Sequence, residues 1–403
     1  MTTNQISQPL PPPDPPGIRK WLRDNLFNGW FNSILTVISG IITFFLLYNA
    51  IVWATTQADW RPVTEFPVLY AVGQFPRAEL WRVGAGLLIF NLLLGFSWDK
   101  WGGLVQNVSI ITAGFMGLIA VLPVSHPALT ISMRIFFGSG VLVLLFGKWL
   151  GSVLNLKSGT IMILWLISPA PVLILLSGFE GSSFLPQVNT TSWGGLIITF
   201  LLAIGGIVLS FPIGVLLALG RRSDLPVVKA FCIFFIETIR GVPLITILFM
   251  FSIILALFLP QDARLDRVLR ALMAMTVFSS AYMAENIRGG LQAVPKGQIE
   301  AAKAIGMNNL MITVFIVLPQ AIRVVIPAIV GQFISLFKDT TLVVIVGIND
   351  LLGIGRSIIN SSPEFVQLQT EVYIFMTIIY WLFSYLMSIA SRRVEAALGV
   401  GDR

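Results

Sequence analysis

Four charged side chains, Glu237, Arg240, Glu285 and Arg323, fall within apolar stretches of the second half of the chain, and Lys338-Asp339-Thr340 follows another such stretch. A charge in apolar surroundings loses its hydration, so each needs an opposite charge, a fan of hydrogen bonds or a polar solute. Arg240 presents a planar fork suited to a carboxylate, while Glu237 or Asp339 can face an ammonium group. Glu237 and Arg240 are spaced i,i+3, so they can pair with each other and hold a helix, or line a path for a polar solute; the two readings are compatible. Pro243 follows Gly241 and removes a backbone hydrogen bond that a partner or water must replace, so a kinked or broken helix is expected there. Measured along a straight helix from Lys229, Arg240 lies about 16 Å in, near the middle of a span. Glu285 and Arg288 share the i,i+3 spacing near a helix end, where an ion pair reaching toward the membrane surface is expected; Arg323 lies close to the same side.

Other chemistries are poorly served. The single cysteine, Cys232, lies in an apolar stretch and the single histidine, His126, in a turn beside Pro127, which leaves no disulfide framework and no thiolate metal site. No Gly-x-x-x-x-Gly-Lys-Ser/Thr phosphate loop occurs, since Gly147-Lys148-Trp149 has neither its spacing nor its hydroxyl. The sequence therefore offers no catalytic residue, no metal ligand set and no cofactor site. A net charge of +7 is compatible with nucleic acid, but the basic residues form short clusters between apolar segments instead of a run, a pattern that sets membrane topology.

The elements that position these charges are spanning helices. Of 403 residues, 56% are hydrophobic and 11% charged, a balance that requires most of the chain to face lipid. Apolar stretches long enough to cross a hydrocarbon core of about 30 Å are read at Phe31–Ala54, Val83–Trp98, Leu104–Leu122, Leu129–Leu150, Thr160–Ser177, Gly194–Leu219, Ala230–Leu259, Leu269–Arg288, Leu310–Phe337 and Val372–Ser391. The fold expected is all-α and polytopic, with about ten helices. Placing both termini in the cytoplasm puts most connecting Lys and Arg residues there, among them Arg19, Lys148, Arg221, Lys296 and Arg392. Residues 1–29 read as a cytoplasmic proline-rich tail, and no cleavable signal layout is present. A polar loop at Gly181–Ser192 separates accessory helices at 30–180, whose one intramembrane charge is Arg134, from a domain at 193–398 that holds the other charges.

One segment carries a recognisable motif. Glu300-Ala301-Ala302 is followed four residues later by Gly306 and then by Ile316-Val317-Leu318-Pro319. Pro295 can start a short helix over Gln298–Ile305, and Gly306 can end it in a left-handed conformation; its small side chains allow close approach of a partner, with Glu300 and Lys303 at the edges. The segment 294–319 resembles the EAA loop of permease subunits of bacterial ATP-binding-cassette (ABC) importers. The segments Glu237-Thr238-Ile239-Arg240-Gly241-Val242-Pro243-Leu244, Ala281-Tyr282-Met283-Ala284-Glu285-Asn286-Ile287-Arg288-Gly289-Gly290 and Gln332-Phe333-Ile334-Ser335-Leu336-Phe337-Lys338-Asp339-Thr340-Thr341-Leu342 are similar to signatures of the polar amino acid subfamily, with Thr341 where serine is more usual. Arg19–Phe27 and Gln74–Arg82 resemble the longer permease of general L-amino acid importers.

The resemblance implies a five-helix type I permease core at 193–398 and a non-catalytic subunit of a binding-protein-dependent importer in a bacterial inner membrane. It also implies partners: two ABC ATPase subunits, a second permease and an extracytoplasmic amino acid binding protein. On this reading Glu300, Ala301, Ala302, Gly306 and Pro319 couple the chain to the ATPases, and Glu237, Arg240, Asp339 and Thr340 line the substrate path. The alternative is a secondary amino acid transporter driven by an ion gradient, which has broken helices and intramembrane charges too but should show internal repeats.

Overall fold

The computed structural model describes residues 17–121, 130–258, 260 and 265–397. His126, Arg264, Arg403 and most of the proline-rich tail lie outside the described residues. The chain forms two compact units that divide between Asp59 and Trp60. The first holds α1 (Ile18–Asn25) and α2 (Trp30–Val52), the latter prolonged by a π-helical turn, Trp53–Gln57. Thr36 Oγ1 donates to the Leu26 carbonyl at 2.8 Å and fixes the connection between them, and no residue of α2 is buried by the chain itself.

The second unit opens with two short helices, α3 (Arg61–Thr64) and α4 (Pro67–Val72). There follow α5 (Leu80–Trp101), α6 (Gly103–Val121), α7 (Ile131–Val153) and a pair, α8 (Ser158–Ile167) and α9 (Pro169–Ser177), interrupted where Pro169 removes a helical hydrogen bond. The permease-like region contains α10 (Gly195–Arg221), α11 (Pro226–Arg240), α12 (Leu244–Phe249) and α13 (Leu255–Phe258), then α14 (Arg267–Ala293), α15 (Lys296–Ala304) and α16 (Asn309–Met311). It ends with α17 (Leu318–Asp339), α18 (Leu351–Ile359), α19 (Pro363–Gln367) and α20 (Gln369–Ala397).

Among the described residues eight helices are long and apolar enough to cross a membrane, nine if α11 to α13 count as one broken span. The tenth expected span, α14, has the length but not the composition, because protein surrounds it. Thr276, Ser279, Ser280, Met283 and Ile287 of α14 are all buried against α10, α11 and α17. Small residues let these helices approach closely, since a Cβ added at Gly214 of α10 would lie 2.6 Å from Met283 Cβ.

The break at Gly241-Val242-Pro243 occurs as the sequence indicates, but it is sharper than a kink: α11 meets the following helix at 107°. The distance counted along a straight axis from Lys229 therefore does not measure the depth of Arg240.

Packing also runs across the polar loop at 181–192. Val72, Phe75, Leu176 and Val188 are buried in one core with Trp193, Ile198, Leu202 and Met275. The fully buried Arg82 pairs with Glu79 at 2.8 Å and donates to the Pro186 carbonyl at 2.8 Å, tying that loop to the start of α5. Gly195, at φ +61°, sits against the Tyr70 backbone, where a Cβ would collide, and its N–H donates to the Asn349 carbonyl at 2.9 Å.

Candidate substrate pocket and coupling helix

Along α14 and α17, polar residues recur at helical spacing within otherwise apolar faces. Ser279, Tyr282 and Asn286 on α14 face Gln332, Ser335 and Asp339 on α17 across a cavity of about 380 Å³, with Phe278, Ala328 and Leu336 completing its wall. That volume lies within the range of small-molecule sites, roughly 300–1,000 Å³. One amide organises the wall: Gln332 Oε1 accepts from Asn286 Nδ2 at 2.8 Å, and Gln332 Nε2 donates to the Ser279 carbonyl at 2.7 Å and its hydroxyl at 2.9 Å. Gln332 is thereby held in one orientation, and the Asn286 side-chain carbonyl is left as an acceptor near the cavity.

A charge cluster adjoins this cavity on the side away from Asp339. Glu285 receives Arg288 Nε at 2.9 Å and lies 3.5 Å from Arg221 and 3.7 Å from Arg240. Glu237 pairs with Arg221 at 2.9 Å, so the i,i+3 contact between Glu237 and Arg240 is replaced by links between helices. The Arg240 guanidinium stands 5.6 Å from the centroid of the Tyr282 ring, one of the cavity's own walls. Its Nε is buried and has no acceptor among the described residues. With three cations against two carboxylates, the cluster keeps a net positive charge beside the cavity, while Asp339 places an acid at the other end.

The helix expected at Gln298–Ile305 is α15, slightly longer at its start. Pro295 occupies the N-cap and Gly306, at φ +82°, ends the helix in the left-handed region; the Met307 N–H then reaches back to the Ala302 carbonyl at 3.1 Å. Ala302 is buried, whereas Glu300, Ala301 and Lys303 are exposed. Ile305 and Leu310, 78% and 73% exposed, leave an apolar surface on a polar end of the protein that none of the described residues covers. Pro319 stands at the second position of α17 without an N–H, and the chain just before it widens into a π-helical turn, Ile312–Val317.

The family of binding-protein-dependent transport system inner membrane components matches residues 210–400, which contain both the cavity and α15. Over nearly its whole length, the chain is 35% identical to the inner membrane amino-acid ABC transporter permease protein YhdY of Escherichia coli, a match covering 94% of this chain and 93% of that one. The chain belongs to the amino-acid ABC transporter permeases. It is also 33% identical to the glutamate/glutamine/aspartate/asparagine transport system permease protein BztC of Rhodobacter capsulatus, with 95% and 94% covered. The probable glutamine ABC transporter permease protein GlnP of Bacillus subtilis is 36% identical, but that match takes in 50% of this chain against 91% of GlnP. This permease therefore carries a large additional region that the shorter relative lacks. As a member of the family it is a multi-pass, non-catalytic subunit of an ATP-driven importer, with ATP hydrolysis on a partner chain, and not a gradient-driven carrier.

Within this permease, the substrate-path residues read from the sequence separate into three groups. Asp339 lines the cavity, and Arg240 abuts it through Tyr282. Glu237 lies farther out, with its side chain 55% exposed. Thr340 is fully buried, turned away from the cavity, and donates to the Phe337 carbonyl at 2.8 Å. Sequence reasoning missed Ser279, and it placed Tyr282, Asn286, Gln332 and Ser335 in subfamily signatures without assigning them to the substrate path. Their spacing of three and four residues on two neighbouring apolar helices is the signal that marks them.

Proposed function

We propose that the permease carries polar L-amino acids into the bacterial cytoplasm through the cavity between α14 and α17. The observation that carries this reading is the cavity's polarity, with Asp339 at one end and the net-positive Arg240 cluster at the other. A zwitterion shed of water needs an acid for its ammonium and a donor for its carboxylate, and the free Arg240 Nε–H is such a donor. The names of YhdY and BztC, both amino acid transporters, support the substrate class.

On the same reading α15 is this subunit's dock for an ABC ATPase, one of two ATPase subunits in the complex. Glu300 and Ala301 provide the contact, Ala302 and Gly306 fix the helix, and Pro319 sets the turn that joins it to α17. A second permease completes the path, an extracytoplasmic binding protein delivers the amino acid, and both termini lie in the cytoplasm. Residues 30–180 add an accessory region to the domain at 193–398, and from Tyr70 onward part of it is packed into that domain's cores.

The test is uptake by the assembled complex carrying Asp339→Asn or Arg240→Lys. Losing one charged partner of a dehydrated zwitterion should raise KM by about ten-fold or more while assembly persists. Unchanged KM and unchanged selectivity in both variants would remove these residues from the path.

A further inference from the structure

Asp339 is the last residue of α17, and what fixes it is the turn that follows. Thr340–Val346 form a 3₁₀ helix, Gly347 reverses the chain at φ +77°, and Asp350 then caps α18 by accepting from the Gly353 N–H at 2.9 Å. The Tyr380 hydroxyl on α20 donates to the other Asp350 oxygen at 2.9 Å. Thr199 Oγ1 on α10 donates to the Gly195 carbonyl at 3.1 Å and accepts from the Leu351 N–H at 3.1 Å. Thr199, Thr340 and Asp350 have no solvent exposure. The α18 N-terminus is thus tied to α20 through Asp350 and to α10 through Thr199. The Tyr380 ring is itself held at 5.3 Å from that of Phe337, two residues before Asp339.

We propose that Tyr380 is a positioning residue for substrate binding: its hydroxyl, through Asp350, holds the far end of the turn that aims Asp339 into the cavity, while its ring packs against Phe337 at the near end. Within the turn itself Thr340 reaches backward to Phe337 and Asp350 forward to Gly353, whereas Tyr380 touches both sides of it. A hydroxyl that donates to a fully buried carboxylate has few alternative arrangements, so its removal loosens the turn without emptying space in the core. The inference rests on Asp339 facing the substrate, as proposed above.

The experiment uses the full chain assembled with its partners in proteoliposomes and measures uptake of a labelled mixture of L-glutamate, L-glutamine, L-aspartate and L-asparagine. Tyr380→Phe, which keeps the packed ring, should raise KM about five-fold with Vmax changed far less. In an Asp339→Asn background the same substitution should add nothing, because the residue through which it acts is already disabled. Asp350→Asn, whose one side-chain oxygen can still cap Gly353 but whose amide nitrogen cannot accept from Tyr380, should behave like Tyr380→Phe, which guards against one variant failing to assemble. An unchanged KM in both variants, or a full additional effect on top of Asp339→Asn, would leave Tyr380 with a structural role alone and overturn the proposal. An Asp339→Asn complex with the KM of the parent, or a parent complex with no uptake, would instead strike at the substrate reading, and the inference would fall with it.

Discussion

Asp350 is a carboxylate without solvent contact, and burial holds its pKa at about 6 against 3.8 for an ordinary aspartate, although Gly353, Leu352 and Tyr380 all donate to it. The folded chain therefore takes up a proton on this group at a pH where the unfolded chain has released it. Its contribution to stability is largest below pH 4, declines as pH rises through 6, and is flat above about 7, a difference of roughly 3 kcal/mol at most. Asp350→Asn keeps the acceptor for Gly353 and removes the titration. In detergent, the melting temperature of the parent should rise relative to that of Asp350→Asn as pH falls from 7 to 5, and a constant gap across that range would refute the assignment. In the sequence Asp350 reads as a helix cap at most, since its partner Tyr380 is 30 residues away. Asp339 and Arg240 were legible for a different reason: a charge within an apolar run announces itself, whereas Ser279, Gln332 and Ser335 are small polar residues that an apolar helix tolerates anywhere. Arg221, too, looks like one more basic residue at a helix end until Glu237 and Glu285 are seen to converge on it.

At the level of elements, α15 shows how far local signals reach. Its proline cap and the left-handed Gly306 stop the helix within a few residues, and both are readable from residue type alone. Glu300→Arg reverses the charge of an exposed contact without touching the spanning helices. Gly306→Pro puts a residue confined to negative φ where the backbone requires +82°. Both variants should reach the membrane in normal amounts yet lose about ten-fold or more in uptake, as measured by transport and by co-purification of the ATPase. Parental uptake and assembly in both would exclude α15 as the dock. The long spans were equally plain, because each is an apolar run of membrane-crossing length. The short helices α3, α4, α18 and α19 went unread. They have four to nine residues, too few for periodicity to register, and α4 and α18 are defined by the neighbours that bury Tyr70, Leu351 and Ile358. The helix α14 also reads as a span, although it is too polar to qualify by strict hydropathy, since a span wrapped by other helices is free to be polar.

For the whole molecule, the question is where the chain can be cut. A polar, glycine- and serine-rich loop at Gly181–Ser192 suggests a seam, yet loop composition reports only that a segment is not helical. Val188 and Phe75 share a core with Trp193 and Met275, Arg82 is buried against the Pro186 carbonyl, and Gly73 lies so close to Gly194 that a Cβ at either would meet the other's backbone. Starting the chain at Asn189 would remove Tyr70, Val72, Phe75 and Leu176 from these cores. Emptying sites filled by several large side chains costs at least about 2–5 kcal/mol each, more than a marginally stable fold can lose. The compact units divide instead between Asp59 and Trp60, and α2 buries none of its residues in the chain. A chain starting at Trp60 should therefore still insert, remain monodisperse in detergent and co-purify with its partners, while one starting at Asn189 should aggregate or be degraded. Size-exclusion profiles and pull-downs of the two truncations decide the matter: equal behaviour of both would mean that residues 60–188 are dispensable to the transport core, and failure of the Trp60 form alone would mean that α1 and α2 are needed for assembly.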